Sequence, residues 1–334
     1  MVKKYLIGIL LIVTVSAGCN RTDSSQKAVE IKKSVTVVAR PPAVAGSFYD
    51  EQTNVLRRRV QLLMDQAVNL KIDAQLIAAI VPHAGYVFSG RCAASAYRLI
   101  GQSDYRRVIV LGPSHYVAFS GISLPEPNLT HYRTPLGDVP IDTTTCKELA
   151  SSKGFSVVEK AGEREHCIEV QLPFLQQTIT SFELVPLLCG AIPEDQINYF
   201  ANAISAHIDN KTLLLVSSDF THYGTNYRFV PFRENIKDNL YQWLTKATGF
   251  LSALDIDGFN EYYSETKDTI CGVIPIKIMM VALKSYGNDV FGRTLDCYTS
   301  GDVVGDYKNS VSYATVGFFS NKHAKNNGKH ENIR

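Results

Sequence analysis

The chain has 334 residues, 45% hydrophobic and 20% charged, the composition of an ordinary soluble domain with enough apolar residues for a sizeable core. Lys and Arg number 34 against 32 Asp and Glu, a formal net charge of +2. So small an excess, part of it in the termini, offers no basic face, and no nucleic-acid partner is expected.

In chain order, Lys3 and Lys4 form a basic start and residues 6–15 an apolar stretch too short to span a bilayer. Ser16-Ala17-Gly18-Cys19 follows and resembles the lipobox of bacterial lipoproteins, with Cys19 as the lipidated residue; ordinary secretion is the alternative. Residues 1–19 are thus expected to be a lipoprotein signal peptide, 20–39 a polar tether, 40–320 an α/β domain and 321–334 a disordered tail. This reading implies an exported bacterial lipoprotein facing the periplasm or cell surface, with the membrane as partner through its lipid anchor.

Strand-like and helix-like segments then alternate. A helix is predicted over 51–67, after Arg40-Pro41-Pro42. The apolar run 76–81 leads to His83, and a helix over 90–100 follows. The run 108–111 leads to His115; a Pro-rich loop spans 125–137 and a helix 146–151. A short helix over 169–178, a strand over 182–188 and a helix over 194–207 come next. The run 213–216 leads to Asp219 and His222, then helices are predicted over 234–245, 258–266 and 275–286, and a strand over 310–319. Runs of branched, uncharged residues suit strands buried on both faces. The βαβ rhythm predicts a single-domain α/β/α sandwich with a mixed, mostly parallel sheet.

Three of these strands end in a loop carrying histidine, and ligands in open α/β sheets sit outside such strand ends. His83, His115, Asp219 and His222 are therefore candidates for one site, and imidazoles with a carboxylate suit a divalent metal. Asp219 and His222 supply two ligands, or an acid/base pair in which the carboxylate orients the imidazole. Cys271 precedes a helix whose N-terminus favours thiolate, although a buried inert thiol is the plainer reading. His166 and Glu169 lie three residues apart, on one face of a helix, as a supporting layer or a plain ion pair. Cys92, Cys146, Cys167, Cys189 and Cys297 show no C-x-x-C spacing, and at least two are expected to be buried hydrophobes. P-loop, G-x-G-x-x-G, G-x-S-x-G and H-E-x-x-H motifs are missing, which argues against nucleotide binding and serine hydrolysis.

Taken in order, the segments 40–49 (Arg-Pro-Pro-Ala-Val-Ala-Gly-Ser-Phe-Tyr), 82–86, 112–115, 165–174, 217–224 and Cys271-Gly272 resemble the Memo family, of the AmmeMemoRadiSam system protein B type. The resemblance implies a fold similar to class III, LigB-type extradiol dioxygenases. It implies His83, His115 and Cys271 as metal ligands, with Asp219 and His222 lining the pocket. It further implies one redox metal ion, Fe(II) or Cu before Zn, and a small-molecule substrate of unknown identity. Val273 stands where a basic residue often follows Cys-Gly, and the leader is foreign to the family, so the signalling roles and phosphopeptide partners of eukaryotic members are not carried over. The leading expectation is a metal-dependent redox enzyme. Its rivals are a non-catalytic periplasmic metal- or ligand-binding lipoprotein, metal-free thiol chemistry at Cys271, and a hydrolase using the His/Asp pair.

Overall fold

The computed structural model describes residues 36–321 apart from positions 102 and 288. Cys19, the leader, the tether up to position 35 and the tail from 322 lie outside the described residues. The described strands are β1 (Ala39–Arg40), β2 (Gln75–Val81), β3 (Arg107–Pro113), β4 (Ile122–Leu124), β5 (His131–Thr134), β6 (Gly137–Pro140), β7 (Phe155–Val157), β8 (Glu183–Cys189), β9 (Thr212–Ser217), β10 (His222–Gly224), β11 (Val290–Thr299) and β12 (Asn309–Ser320).

The apolar runs form the centre of a nine-stranded sheet in the order β10-β12-β2-β9-β3-β8-β4-β7, with β11 also paired to β12. β2, β9, β3 and β8 are mutually parallel and almost wholly buried, which explains why their sequences do not alternate. The flanks bring in antiparallel pairs: β12 pairs with β2, β10 and β11, and β4 with β8, while the edge strand β7 runs parallel to β4. The sheet is therefore mixed, with most of its parallel pairs gathered at the centre, rather than mostly parallel. The antiparallel pairs come from β12, which runs against β2, β10 and β11, and from β4 against β8; β11 is hidden in the sequence because Arg293 and Asp296 mask its alternation.

The connection from β2 to β3 and that from β8 to β9 run in opposite directions across the sheet. Right-handed crossovers then put their helices on opposite faces. Helices Thr53–Gln66, Tyr86–Ile100 and Leu172–Thr178 pack together, and helices Ile197–Ser205 and Val273–Tyr286 form another layer against the central strands. One contiguous apolar core joins them, which makes a single domain. No described helix is long and apolar enough to cross a membrane.

The loop predicted over 125–137 becomes regular in its second half: β5 and β6 form a hairpin, and β1 adds to it in parallel, so Ala39, counted with the tether, pairs with His131. Arg133 and Asp138 pair across that hairpin at 2.7 Å.

The chain leaves β9 toward β10, past β2 and β12, and leaves the adjacent β3 toward β4, past β8. Neighbouring strands whose exits diverge make a switch-point crevice. Val81 and Ser217 lie level in register, as do Leu111 and Val216, so the loops after β2, β9 and β3 leave the sheet side by side.

Candidate metal centre

Two residues past β2, the His83 backbone N–H donates to Asp219 Oδ1 at 2.8 Å. That bond is available because the chain leaving β9 crosses the end of β2, where the Ser218 N–H donates to the Val81 carbonyl at 2.9 Å. The His83 ring is buried, with Nδ1 3.0 Å from Ser217 Oγ and Nε2 3.3 Å from Cys271 Sγ. His115, two residues past β3, is partly exposed, and its ring centroid is 5.0 Å from that of His83. Cys271 Sγ also accepts the Asp219 N–H at 3.2 Å, just before the helix Val273–Tyr286. One donor atom from each of His83, His115 and Cys271 lies within 4.8 Å of the others.

The structure gives the remaining candidates different surroundings. His222 Nδ1 donates to the Thr269 carbonyl at 2.9 Å, and its backbone N–H to Thr269 Oγ1 at 2.7 Å. Thr269, rather than Asp219, orients this imidazole. His166 lies in the turn before Glu169–Gln171, not on a helix face, and stacks on His115 with centroids 4.8 Å apart. Glu169 belongs elsewhere: it accepts from Arg40 Nη1 at 2.6 Å, from the Ala43 and Val44 N–H groups at 2.7 and 3.0 Å, and from Tyr49 OH at 2.6 Å.

Glu165 escaped the sequence reading. Its carboxylate accepts the His115 N–H at 2.7 Å and His115 Nδ1–H at 2.9 Å, together with the His166 and Cys167 N–H groups at 3.0 and 3.2 Å. Glu165, His115 and His166 form a second cluster of donor atoms within 4.8 Å. Four accepted hydrogen bonds make Glu165 a support for His115, the arrangement that orients metal-bound imidazoles. Its adjacency to His166 was the signal available in the sequence.

Burial sets the electrostatics. It pushes the His83 imidazole well down, with His115 adding to the effect. Burial, reinforced by His83, lowers His166 to about 4. Burial pushes Glu165 up, but the hydrogen bonds and charge of His115 outweigh it and hold the carboxyl at about 2. Asp219 is raised by burial against the pull of His222. Burial and the neighbouring Asp219 raise the Cys271 thiol, outweighing the pull of the helix N-terminus toward thiolate.

His166 takes up its proton less readily folded than unfolded, and Glu165 gives up its own more readily. In both cases the unfolded chain binds more protons in acid, so stability falls as pH falls. The expected result is a urea midpoint that declines from about pH 6.5 toward 4 as His166 is forced to charge, then further toward 2 as Glu165 is protonated. A midpoint flat across pH 4–6.5 in wild type, equal to that of His166→Phe, would rule this out.

Gly272 holds the thiol in place. A Cβ there would press into the Ser218 side chain, whose hydroxyl accepts the Gly272 N–H at 3.0 Å. Gly272→Ala is expected to lose about 1–3 kcal/mol in urea unfolding through this overpacking. An unchanged midpoint would show that the contact relaxes freely. Separately, a cavity of about 370 Å³ lined by Arg40, Leu124, Tyr132 and Leu188 includes none of the three donors in its lining.

The same domain occurs in known proteins. The family described as Memo-like protein matches residues 40–317. The chain belongs to the Memo family.

Among its Memo relatives, the memo-1 homolog of Caenorhabditis elegans is 33% identical over 288 residues, 83% of this chain and 81% of its own. Human MEMO1 is 32% identical over 291 residues, 83% of this chain and 96% of its own. Among solved structures, an uncharacterized protein from Escherichia coli K12 aligns with TM-score 0.45 and 12% identity, covering 72% of this chain and 99% of that one. A likeness at that level carries no argument about a dioxygenase-type fold.

The Memo relatives correct one expectation. Residues 1–19 led to an exported bacterial lipoprotein in the periplasm or at the cell surface. The nematode and human relatives are animal proteins that share the domain carrying the strand-end cluster. These relatives overturn the exported placement.

Proposed function

We propose that this Memo protein holds one redox-active metal ion through His83, His115 and Cys271 and uses it in a redox reaction on a small molecule. The relation to LigB-type extradiol dioxygenases is part of the same proposal. The observation that carries it is the approach of two imidazoles and a thiol within 4.8 Å at adjacent strand ends. In a tetrahedral centre with bonds of about 2.0–2.3 Å, ligand atoms sit about 3.4 Å apart. The 3.3 Å between Cys271 Sγ and His83 Nε2 already matches that spacing. Imidazole and thiolate together suit iron, copper and zinc, with Fe(II) or Cu preferred for redox work.

A bound iron or copper would supply one-electron chemistry. The protein's own groups do the rest. His115 is partly exposed, so the cluster is open to solvent at His115, while His83 and Asp219 are buried. His222, with its Nδ1 proton given to the Thr269 carbonyl, keeps Nε2 free to take a proton from substrate. Asp219 holds the His83 backbone and faces His222 as a charge partner. A second reading, metal binding without turnover, draws on the cavity of about 370 Å³ whose lining excludes the donors.

Protein purified without oxygen should carry a single iron or copper ion per chain by mass spectrometry of the metal. Turnover of a catechol-like compound with the loaded protein supports the enzyme, and tight binding without turnover supports the carrier. His222→Gln is expected to keep the ion and lose turnover. Retained turnover removes His222 from the mechanism, and a chain that binds neither metal sinks the proposal.

A further inference from the structure

Each of the three imidazoles His83, His115 and His222 has a partner behind its Nδ1, and the partners differ in kind. Behind His115 stands the Glu165 carboxylate, and behind His222 the Thr269 carbonyl. Both groups accept, so Nδ1 of each ring carries the proton and Nε2 keeps its lone pair. Behind His83 stands the hydroxyl of Ser217, 3.0 Å away, which can either donate or accept.

Two further groups decide its direction. Ser217 Oγ lies 2.6 Å from the Cys167 carbonyl, which can only accept, so the single hydroxyl proton points there. Gln171 Nε2 donates to the same Oγ at 2.9 Å. The orientation of that amide follows from its other contacts: Nε2 donates to the Pro82 carbonyl at 3.1 Å, and Oε1 accepts Tyr97 OH at 2.7 Å. The alternative, with the Ser217 proton on His83, would leave two oxygens 2.6 Å apart with no hydrogen between them. Ser217 Oγ can therefore only accept from His83, so Nδ1 is the protonated nitrogen and Nε2 faces Cys271 with its lone pair. Tyr97, Gln171 and Ser217 are all buried away from bulk solvent.

We infer that Ser217, set by Gln171 and the Cys167 carbonyl, is a positioning residue for the metal centre: it locks His83 in the Nδ1–H tautomer and presents Nε2 to the ion. This rests on the reading of His83 as a ligand. Free histidine favours the opposite tautomer, so the lock works against the intrinsic bias of the ring. Ser217 and Glu165 then do the same task by different chemistry, one through a relayed hydroxyl and the other through a carboxylate.

The test uses the metal-free full chain with ¹⁵N-labelled histidine, and zinc alone as the binding probe. Long-range proton–nitrogen correlation should show His83 with Nδ1 protonated. In Ser217→Ala the His83 signal should move toward the Nε2–H pattern, and zinc affinity should fall about 10–100-fold, the usual loss for an outer partner of a ligand. His115 and His222 signals should stay in place, which reports an intact fold. Ser217→Thr, which keeps the hydroxyl, should restore both readouts. A wild-type His83 found with Nε2 protonated, or a Ser217→Ala chain with unchanged tautomer and affinity, overturns the lock alone. A locked His83 in a wild-type chain that takes no zinc overturns the metal reading and the role of the lock with it.

Discussion

Replacing Cys271 with serine is expected to weaken metal binding roughly 100-fold or more while leaving the protein folded. The magnitude follows from structural metal sites, where four ligands together contribute about 10–16 kcal/mol, or about 3 kcal/mol each. Serine keeps the size and the hydrogen bond from the Asp219 N–H, which spans 3.2 Å to the sulfur. It lacks a group that ionises in the presence of a soft or borderline metal. His83→Ala should do the same through a different atom, since the two donors are 3.3 Å apart and serve the same point in space. Titration against a competing chelator, with circular dichroism as the control for folding, reads both effects. Because burial raises the thiol, wild-type affinity should also fall as pH is lowered, as the metal must displace the Cys271 proton, and the serine variant should lose that part of the slope. Full stoichiometric binding by Cys271→Ser would remove the thiol from the centre.

The centre of this fold is legible in the sequence for a plain reason. β2, β3 and β9 are buried on both faces, so their central residues are apolar, and Pro82, Gly112-Pro113 and Ser217 close the three runs. The histidines sit at those ends, where that pattern points. What the pattern does not contain is direction. β11 and β12 pair antiparallel over most of their length, but Gly292, Arg293, Thr294 and Asp296 break up β11, which gives no apolar run to find. The supporting residues are hidden for a different reason. Ser217 reads as a turn residue, and its neighbours Gln171 and Cys167 are 46 and 50 positions away. Spacing along a helix favours Glu169 over Glu165, whereas the chain around His166 is a turn that brings Glu165 back to His115, 50 positions earlier. Thr269 replaces Asp219 as the partner of His222 through the same kind of long-range contact, 47 positions apart.

Glu169→Ala is expected to be the most destabilising single change in this part of the domain, by about 3–5 kcal/mol, a large share of the roughly 5–15 kcal/mol that holds a domain folded. The carboxylate is wholly buried and its salt bridge to Arg40 is 2.6 Å long, with Arg40 itself nearly buried. Removing it strands a guanidinium in the interior and orphans the N–H groups of Ala43 and Val44 and the hydroxyl of Tyr49. The loss should reach the metal centre. Arg40 Nη2 also donates to the Glu165 carbonyl at 2.5 Å, and Phe48, in the segment Glu169 anchors, sets its ring 4.8 Å from His166. The segment 40–49 therefore braces the turn that carries Glu165 and His166, so metal affinity should fall together with stability. Urea unfolding and protease sensitivity of residues 40–49 read the first effect, and zinc titration the second. The double change Arg40→Met with Glu169→Leu separates charge from packing, because an apolar pair of similar volume leaves no buried charge and should recover much of the loss. If the single and double variants unfold alike, the ion pair is not what anchors the segment. If Glu169→Ala unfolds at the wild-type urea concentration, the segment owes its position to the packing of Val44 and Tyr49 against the core.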